Sequence, residues 1–267
     1  MKKTLRGRAA ALLGAALLAT AVPALTTTPA AAAGPVYLEA GKRLGPGESL
    51  ADGESRLVMQ GDGNLVLYLV GPSGQNAVPL WASGTYNNWG AYAVMQADGN
   101  FVIYRQNGSG PGDALWSSGT WNSPGARLQL LDGTVYVTSA TIGHRSWQSG
   151  TSRYGTPDNV TGLGSGSRTD SKSVWLVMQS DGNLVLYRKR DGQALWATGT
   201  WNHPGATAGL PYGTGEFLVS DPRQGRIWSN GVDVRTQARA KLQDDGNFVV
   251  YDAAGRALWS TGTWGNW

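Results

Sequence analysis

Five residue types recur at fixed spacing in this chain, and together they could hold a ligand rich in hydroxyl groups. The pattern Gln-x-Asp-x-Asn-x-Val-x-Tyr falls at Gln60, Asp62, Asn64, Val66 and Tyr68, and again at Gln96, Asp98, Asn100, Val102 and Tyr104. A third copy is Gln179, Asp181, Asn183, Val185 and Tyr187, and a fourth is Gln243, Asp245, Asn247, Val249 and Tyr251. Two amides and a phenol supply donors and acceptors. The carboxylate accepts charge-assisted hydrogen bonds, the strong kind. Valine and the tyrosine ring add apolar contact. A sugar suits such a set, because its hydroxyls both donate and accept while its ring presents patches of C–H. One Asp-Gly-Asn alone would be ordinary turn chemistry, but a turn does not require Gln, Val and Tyr at two-residue spacing around it, four times over. A calcium loop needs several more oxygen ligands and a closing Glu. Each copy has one carboxylate at a motif position, and Asp244, which precedes Asp245 in the fourth, should diverge from it in a hairpin, so neither a metal nor another cofactor is expected.

Strands must position these residues. Side chains alternate between faces along a strand, so Asn64, Val66 and Tyr68 share one face while Leu65 and Leu67 share the other, with Leu57 and Met59 as core companions. Two alternating runs, Arg56–Gln60 and Asn64–Tyr68, flank Gly61-Asp62-Gly63, which fits a three-residue hairpin loop with a left-handed glycine. Gln60 then lies across the hairpin from Asn64, with Asp62 in the turn beside them. Leu80-Trp81 and its counterparts supply a further strand. Glycine is abundant at 39 residues, and no helix-period segment exceeds a turn or two, so the class is all-β.

The repeat is nested. Leu-Val-Met-Gln-x-Asp-Gly-Asn-Leu-Val-Leu-Tyr occurs at 57–68 and at 176–187, an offset of 119 residues that also aligns Leu44-Gly45-Pro46-Gly47 with Leu163-Gly164-Ser165-Gly166. Such self-similarity marks a duplicated unit. A Trp followed by Ser/Thr-Gly or a close variant recurs at Trp81, Trp116, Trp147, Trp196, Trp228 and Trp259, giving three units per half. Two units keep the Trp but not the polar set: Leu130, Asp132, Thr134, Tyr136 and Thr138 stand at the motif positions of the third, and Tyr212, Thr214, Glu216, Leu218 and Ser220 at those of the fifth. The polar stretch near Thr151–Pro157 is the expected boundary. The expected organisation is a signal peptide at 1–33 and two domains, 34–153 and 154–267.

The leader assignment rests on Lys2, Lys3, Arg6 and Arg8, the Ala/Leu-rich run that follows, and the small residues Ala31-Ala32-Ala33 before Gly34. The product is expected to be secreted, and the Ala-rich leader suggests a bacterial exporter. The leader holds four of the 22 Lys+Arg and none of the 18 Asp+Glu, so the remainder carries eighteen of each. An excess of clustered cations, which nucleic-acid binding needs, is therefore missing. The apolar run is broken by Gly14 and Pro23, and no second long one follows, so membrane insertion is not expected. There is no cysteine, and the two histidines, His144 and His203, fall in different units. No serine sits in a nucleophile-elbow pattern, and a glycosidase would need two facing carboxylates where each site has one. No catalytic residues are expected.

At the four motifs the chain resembles the bulb-type, mannose-binding lectin family of monocot plants, which also has bacterial members. The resemblance covers essentially the whole chain after the leader. It implies two tandem β-prism domains, each with three four-stranded antiparallel sheets around a pseudo-threefold axis. A six-bladed propeller would also give six such repeats, but the long offset favours two closed trios. The resemblance further implies metal-independent mannose binding: Asp and Asn on the axial 2-hydroxyl, Gln on the 3-hydroxyl, Tyr on the 4-hydroxyl, and Val against the ring carbons. The implied partners are mannose-containing glycans bound through four intact sites, with a homodimer possible. The third and fifth units are expected to be inactive. The six repeated tryptophans are expected at the prism axes, and Tyr86, Trp121, Trp201 and Trp264 as structural or domain-contact residues. Trp267 is left open between that role and a disordered end. Tandem bacterial members include lectin-like bacteriocins, so binding and killing of related bacteria is the alternative role.

Overall fold

The computed structural model describes residues 35–139, 143–153 and 156–267. The leader expected at 1–33 lies outside the described residues, as does part of the expected boundary, 154–155. One 3₁₀ turn, Pro111–Asp113, is the helical element among the described residues; the rest is strand, turn and loop.

The first unit shows how each hairpin is made. Ser55–Met59 pairs antiparallel with Leu65–Val70, in a register that sets Arg56 against Tyr68, Val58 against Val66 and Met59 against Leu65. Gln60 N–H donates to Asn64 O at 2.8 Å and Gly63 N–H to Gln60 O at 3.1 Å, closing a three-residue loop. Gly63 takes the left-handed φ of 91° that this loop demands of its last residue. Asn76–Ala82 pairs along the other side of Leu65–Val70, and Ser49–Ala51 pairs along Ser55–Met59, completing four strands.

The segment that covers the edge of each sheet comes from one run at the start of its half, adjacent in sequence to the first sheet and distant from the other two. The run 36–51 places Ser49–Ala51 on the first unit, Arg43–Leu44 on Tyr92–Met95 of the second, and Val36–Leu38 on Arg127–Leu131 of the third. Residues 157–170 do the same in the second half. Ser167–Asp170 joins Val174–Met178, and Gly162–Leu163 joins Thr207–Gly209. Val160 N–H donates to Ala240 O at 2.8 Å and Leu242 N–H to Pro157 O at 2.7 Å, which lines that segment along Arg239–Leu242. One short run thus laces three sheets together, and the edge it covers is no longer open for pairing.

The tryptophans close the trios. Trp81, Trp116 and Trp147, one from each sheet, meet edge to face with centroids 5.3–5.8 Å apart. Trp196, Trp228 and Trp259 repeat the triangle at 5.5–6.0 Å. Such T-shaped pairs contribute about 0.5–1.5 kcal/mol each beyond their buried area. Leu57, Met59, Leu65 and Leu67 are fully buried beneath the first triangle, and Leu176, Met178, Leu184 and Leu186 stand correspondingly in a second core. Each half is therefore a β-prism, as expected, with its own core.

The halves also touch. Trp175, Val177 and Tyr187 pack with the first core, although their chain segment belongs to the second half. Arg168, only 1 % exposed, donates from Nη1 to Asp132 O at 3.2 Å and lies 3.7 Å from Glu54. Ser152–Arg153 runs parallel to the start of Ser167–Asp170, adding a fifth strand at this seam.

Candidate binding sites

All four complete motifs adopt one arrangement. Gln60 Nε2 donates to the Tyr68 hydroxyl at 2.9 Å, and the corresponding bonds are 3.0 Å from Gln96 to Tyr104, 2.9 Å from Gln179 to Tyr187 and 2.9 Å from Gln243 to Tyr251. Because the phenol oxygen accepts there, its own proton is left for a ligand. Asp62 Oδ1 accepts the Asn64 N–H at 3.0 Å; Asp98, Asp181 and Asp245 do the same for Asn100, Asn183 and Asn247 at 2.9 Å. Each carboxylate thus fixes its turn with one oxygen and keeps the other as an acceptor. Val66, Val102, Val185 and Val249 form the floor, all buried.

The asparagine does more than the sequence suggested. Asn64 Oδ1 accepts from Ser83 Oγ at 3.1 Å, Gly84 N–H at 3.1 Å and Thr85 N–H at 3.2 Å. Thr85 Oγ1 in turn donates to Gly63 O at 2.6 Å. The same clasp joins Asn100 to Ser118 and Thr120, Asn183 to Thr198, Gly199 and Thr200, and Asn247 to Thr261 and Thr263. Since Oδ1 is committed to the loop, the amide nitrogen is the group each asparagine can offer outward. The Ser/Thr-Gly-Thr segment was visible two residues after each of these tryptophans, but only as a marker of the repeat. Its role as the clasp of the site depends on the third strand docking beside the hairpin.

Surroundings differ from copy to copy. The residue paired across the strand from the motif tyrosine is Arg56 in the first, Tyr92 in the second, Trp175 in the fourth unit and Arg239 in the sixth. Burial pushes the Tyr187 phenol up to about 12, with the Asp181 carboxylate adding to the shift and the Gln179 hydrogen bond opposing it. Tyr68 is raised as well, again chiefly by burial. Both phenols stay protonated at neutral pH. The sixth unit opens on a cleft of about 340 Å³ lined by Asp158, Arg239, Lys241, Gln243 and Tyr251. Among the described residues no group of His, Cys, Asp and Glu could hold a metal ion.

The two degenerate units differ in turn length as well as in residue type. In the third, Leu131 pairs with Thr134, so Asp132 and Gly133 form a two-residue turn with φ of 50° and 72°. Leu131, not Leu130, therefore occupies the glutamine position. In the fifth, Gly209 pairs with Leu218, which leaves the loop one residue longer and puts Pro211, not Tyr212, at that position. An ungapped reading of the repeat misses both shifts, because register follows the turn and not the residue count. A second correction concerns Tyr86, Trp121, Trp201 and Trp264. They are 60, 56, 49 and 67 % exposed, so they are not packed between the halves. Trp267 is 69 % exposed, and its carbonyl accepts from Arg190 Nη1 at 3.2 Å.

No family model matches the sequence. The chain is 30 % identical over 245 residues to mannose-specific lectin 2 of Colocasia esculenta, covering 87 % of each chain. It is 29 % identical over 251 residues to mannose-specific lectin 1 of Remusatia vivipara, covering 89 % of this chain and 92 % of that one. Among solved structures, a monomeric monocot mannose-binding lectin from Gastrodia elata is 38 % identical, covers 43 % of this chain and 96 % of its own, and aligns with a TM-score of 0.35. The 30 % identity to the Colocasia lectin over 87 % of both chains shows that this chain belongs to the family of monocot mannose-specific lectins, proteins that bind carbohydrate and are not enzymes.

Proposed function

We propose that this protein is a secreted, multivalent lectin that binds mannose-type glycans without a metal, through the four motifs at Gln60–Tyr68, Gln96–Tyr104, Gln179–Tyr187 and Gln243–Tyr251. The observation that carries the reading is the fourfold recurrence of one hydrogen-bonded set: a phenol proton, a free carboxylate oxygen and an amide nitrogen left unused over a valine floor. Mannose is chosen because relatives of this chain are named as mannose-specific. A site built around one hydroxyl disfavours an epimer, since its polar atoms are then left unpaired. The lectin domains at 34–153 and 154–267 belong to the same proposal, supported by the two tryptophan triangles and the two cores, and so does the leader at 1–33, which rests on its residue pattern.

Each shallow site should be weak, with Kd on the order of 1 mM. Engagement of two sites on a mannan-coated surface should raise the apparent affinity roughly a hundredfold. Isothermal titration with methyl α-mannoside, with and without a chelator, tests the assignment. Equal binding in both is expected. Loss of binding on chelation would refute the metal-free claim, and failure to bind at all would refute the sugar.

A further inference from the structure

The loop behind each complete motif is pinned at two points. Thr85 N–H reaches Asn64 Oδ1, and Asn88 N–H reaches Asp62 O at 2.9 Å. Tyr86 follows the first anchor directly and is 60 % exposed. The arrangement recurs three times. Trp121 lies between Thr120, bonded to Asn100, and Ser123, bonded to Asp98 O. Trp201 lies between Thr200, bonded to Asn183, and His203, bonded to Asp181 O. Trp264 lies between Thr263, bonded to Asn247, and Gly265, bonded to Asp245 O. The edge of the Trp121 ring lies beside Gly119, and that of Trp264 beside Gly262, each glycine being part of the clasp around a motif asparagine.

These aromatics accompany the motif and are missing where it is missing. Ser152 follows Thr151 in the third unit, and Asp233 follows Val232 in the fifth. Among the described residues, none of the four rings stacks on another aromatic or lies against a cation. A protein-docking surface would gather its apolar residues into one contiguous patch. Here they are distributed over all four sites, with the exposed Trp89 and Trp267 three residues beyond Tyr86 and Trp264 in the first and the last. An exposed aromatic ring on a loop hydrogen-bonded to the motif's own asparagine suits the C–H face of a pyranose ring, since an aromatic face is electron-rich.

Building on the mannose reading, we propose that Tyr86, Trp121, Trp201 and Trp264 are stacking platforms for a second sugar, the one glycosidically linked to the mannose held by the motif. Each site then reads a linked pair of sugars. The platform contributes to oligosaccharide affinity and leaves monosaccharide affinity untouched.

The test is calorimetric titration of the full chain with methyl α-mannoside and with an α-linked mannotriose. It compares the parent with a quadruple variant, Tyr86→Thr, Trp121→Thr, Trp201→Thr and Trp264→Thr, and with a quadruple Phe variant at the same positions. The parent should prefer the trisaccharide by about tenfold. The Thr variant should bind the monosaccharide within about twofold of the parent and lose the preference, and the Phe variant should keep most of it. A parent without preference, or a Thr variant that retains it, would overturn the proposal. If the parent binds neither sugar, the monosaccharide arm alone shows that the mannose reading has failed, and this proposal falls with it. Sedimentation of the same proteins covers the other occupant: a parent dimer that the Thr variant converts to monomer, with trisaccharide binding unchanged, would mark the rings as a contact between copies and overturn the platform.

Discussion

Asn64 is divided between two tasks, and this changes what mutating it means. Its Oδ1 holds the loop 83–85, so Asn64→Ala removes an acceptor of three hydrogen bonds as well as a ligand donor. Leaving those donors unpaired costs about 1–3 kcal/mol, and urea denaturation should show the loss even without sugar. Asp62→Asn is the cleaner probe. The amide oxygen can still accept the Asn64 N–H, while the free acceptor facing the ligand becomes a donor. The same change at Asp62, Asp98, Asp181 and Asp245 together should abolish binding to immobilised mannan with little change in melting temperature. Tyr187 offers a second residue-scale test. Its folded-state pKa of about 12 lies above the ordinary value of 10.0. The unfolded phenol therefore ionises first as pH rises. The contribution is fully present below about 10 and is lost between about 10 and 12. Tyr187→Phe should flatten that part of the stability profile, as read by denaturation at successive pH values.

At the scale of the hairpin, the turn determines whether a site exists. Gly63, Gly99, Gly182 and Gly246 all have φ between 89° and 97°. A Cβ on any of them would meet the backbone of the pinned loop, that of Asn88, Ser123, His203 or Asn266. Glycine is thus required twice over, for its dihedral and for the close approach of a second chain segment. Gly61, two residues earlier in the same loop, has open space around it and no positive φ. Gly63→Ala should cost about 1–3 kcal/mol from backbone strain alone, and Gly61→Ala should stay within about 0.5 kcal/mol. Equal losses from the two in chemical denaturation would contradict this account. The third and fifth units show the same control from the other side. Shortening or lengthening the turn by one residue moves the glutamine position onto Leu131 or Pro211, and no polar set can form there.

At the scale of the whole molecule, the seam holds a buried cation. Burial pushes the Arg168 guanidinium down from its ordinary value, while the Asp170 and Glu54 carboxylates push it back up. An arginine does not deprotonate in a protein, so its charge must be met by Asp132 O, Glu54 and Asp170. Gly133 leaves the space that the guanidinium fills. Glu54 is half exposed and Asp170 keeps Arg153 and Lys189, so losing Arg168 costs less than the about 3–5 kcal/mol of a fully buried pair, but it removes the hydrogen bond to Asp132 across the seam. Arg168→Ala should therefore loosen the coupling between the halves, so that calorimetry resolves two transitions where the parent gives one. A variant that still melts in one transition at an unchanged temperature would show that Trp175, Val177 and Tyr187 hold the seam without it.

The strand class, the three-residue turn, the four polar sets and the tryptophan repeat are all legible in the order of the residues. All of these are local: alternation, a left-handed glycine and a fixed spacing act over fewer than about ten residues. Tertiary structure decided the rest. The clasp on Asn64 joins residues 19 to 21 positions away, and the edge strand Val36–Leu38 finds its partner in Arg127–Leu131. Whether Trp121 is buried or exposed depended on where the docked loop turned its ring, since any aromatic after Gly-Thr reads alike in sequence. The shifted turns of the third and fifth units were invisible for a related reason. Their strands are held in register by sheets closed around a tryptophan axis, and only that closure shows which residue faces the site.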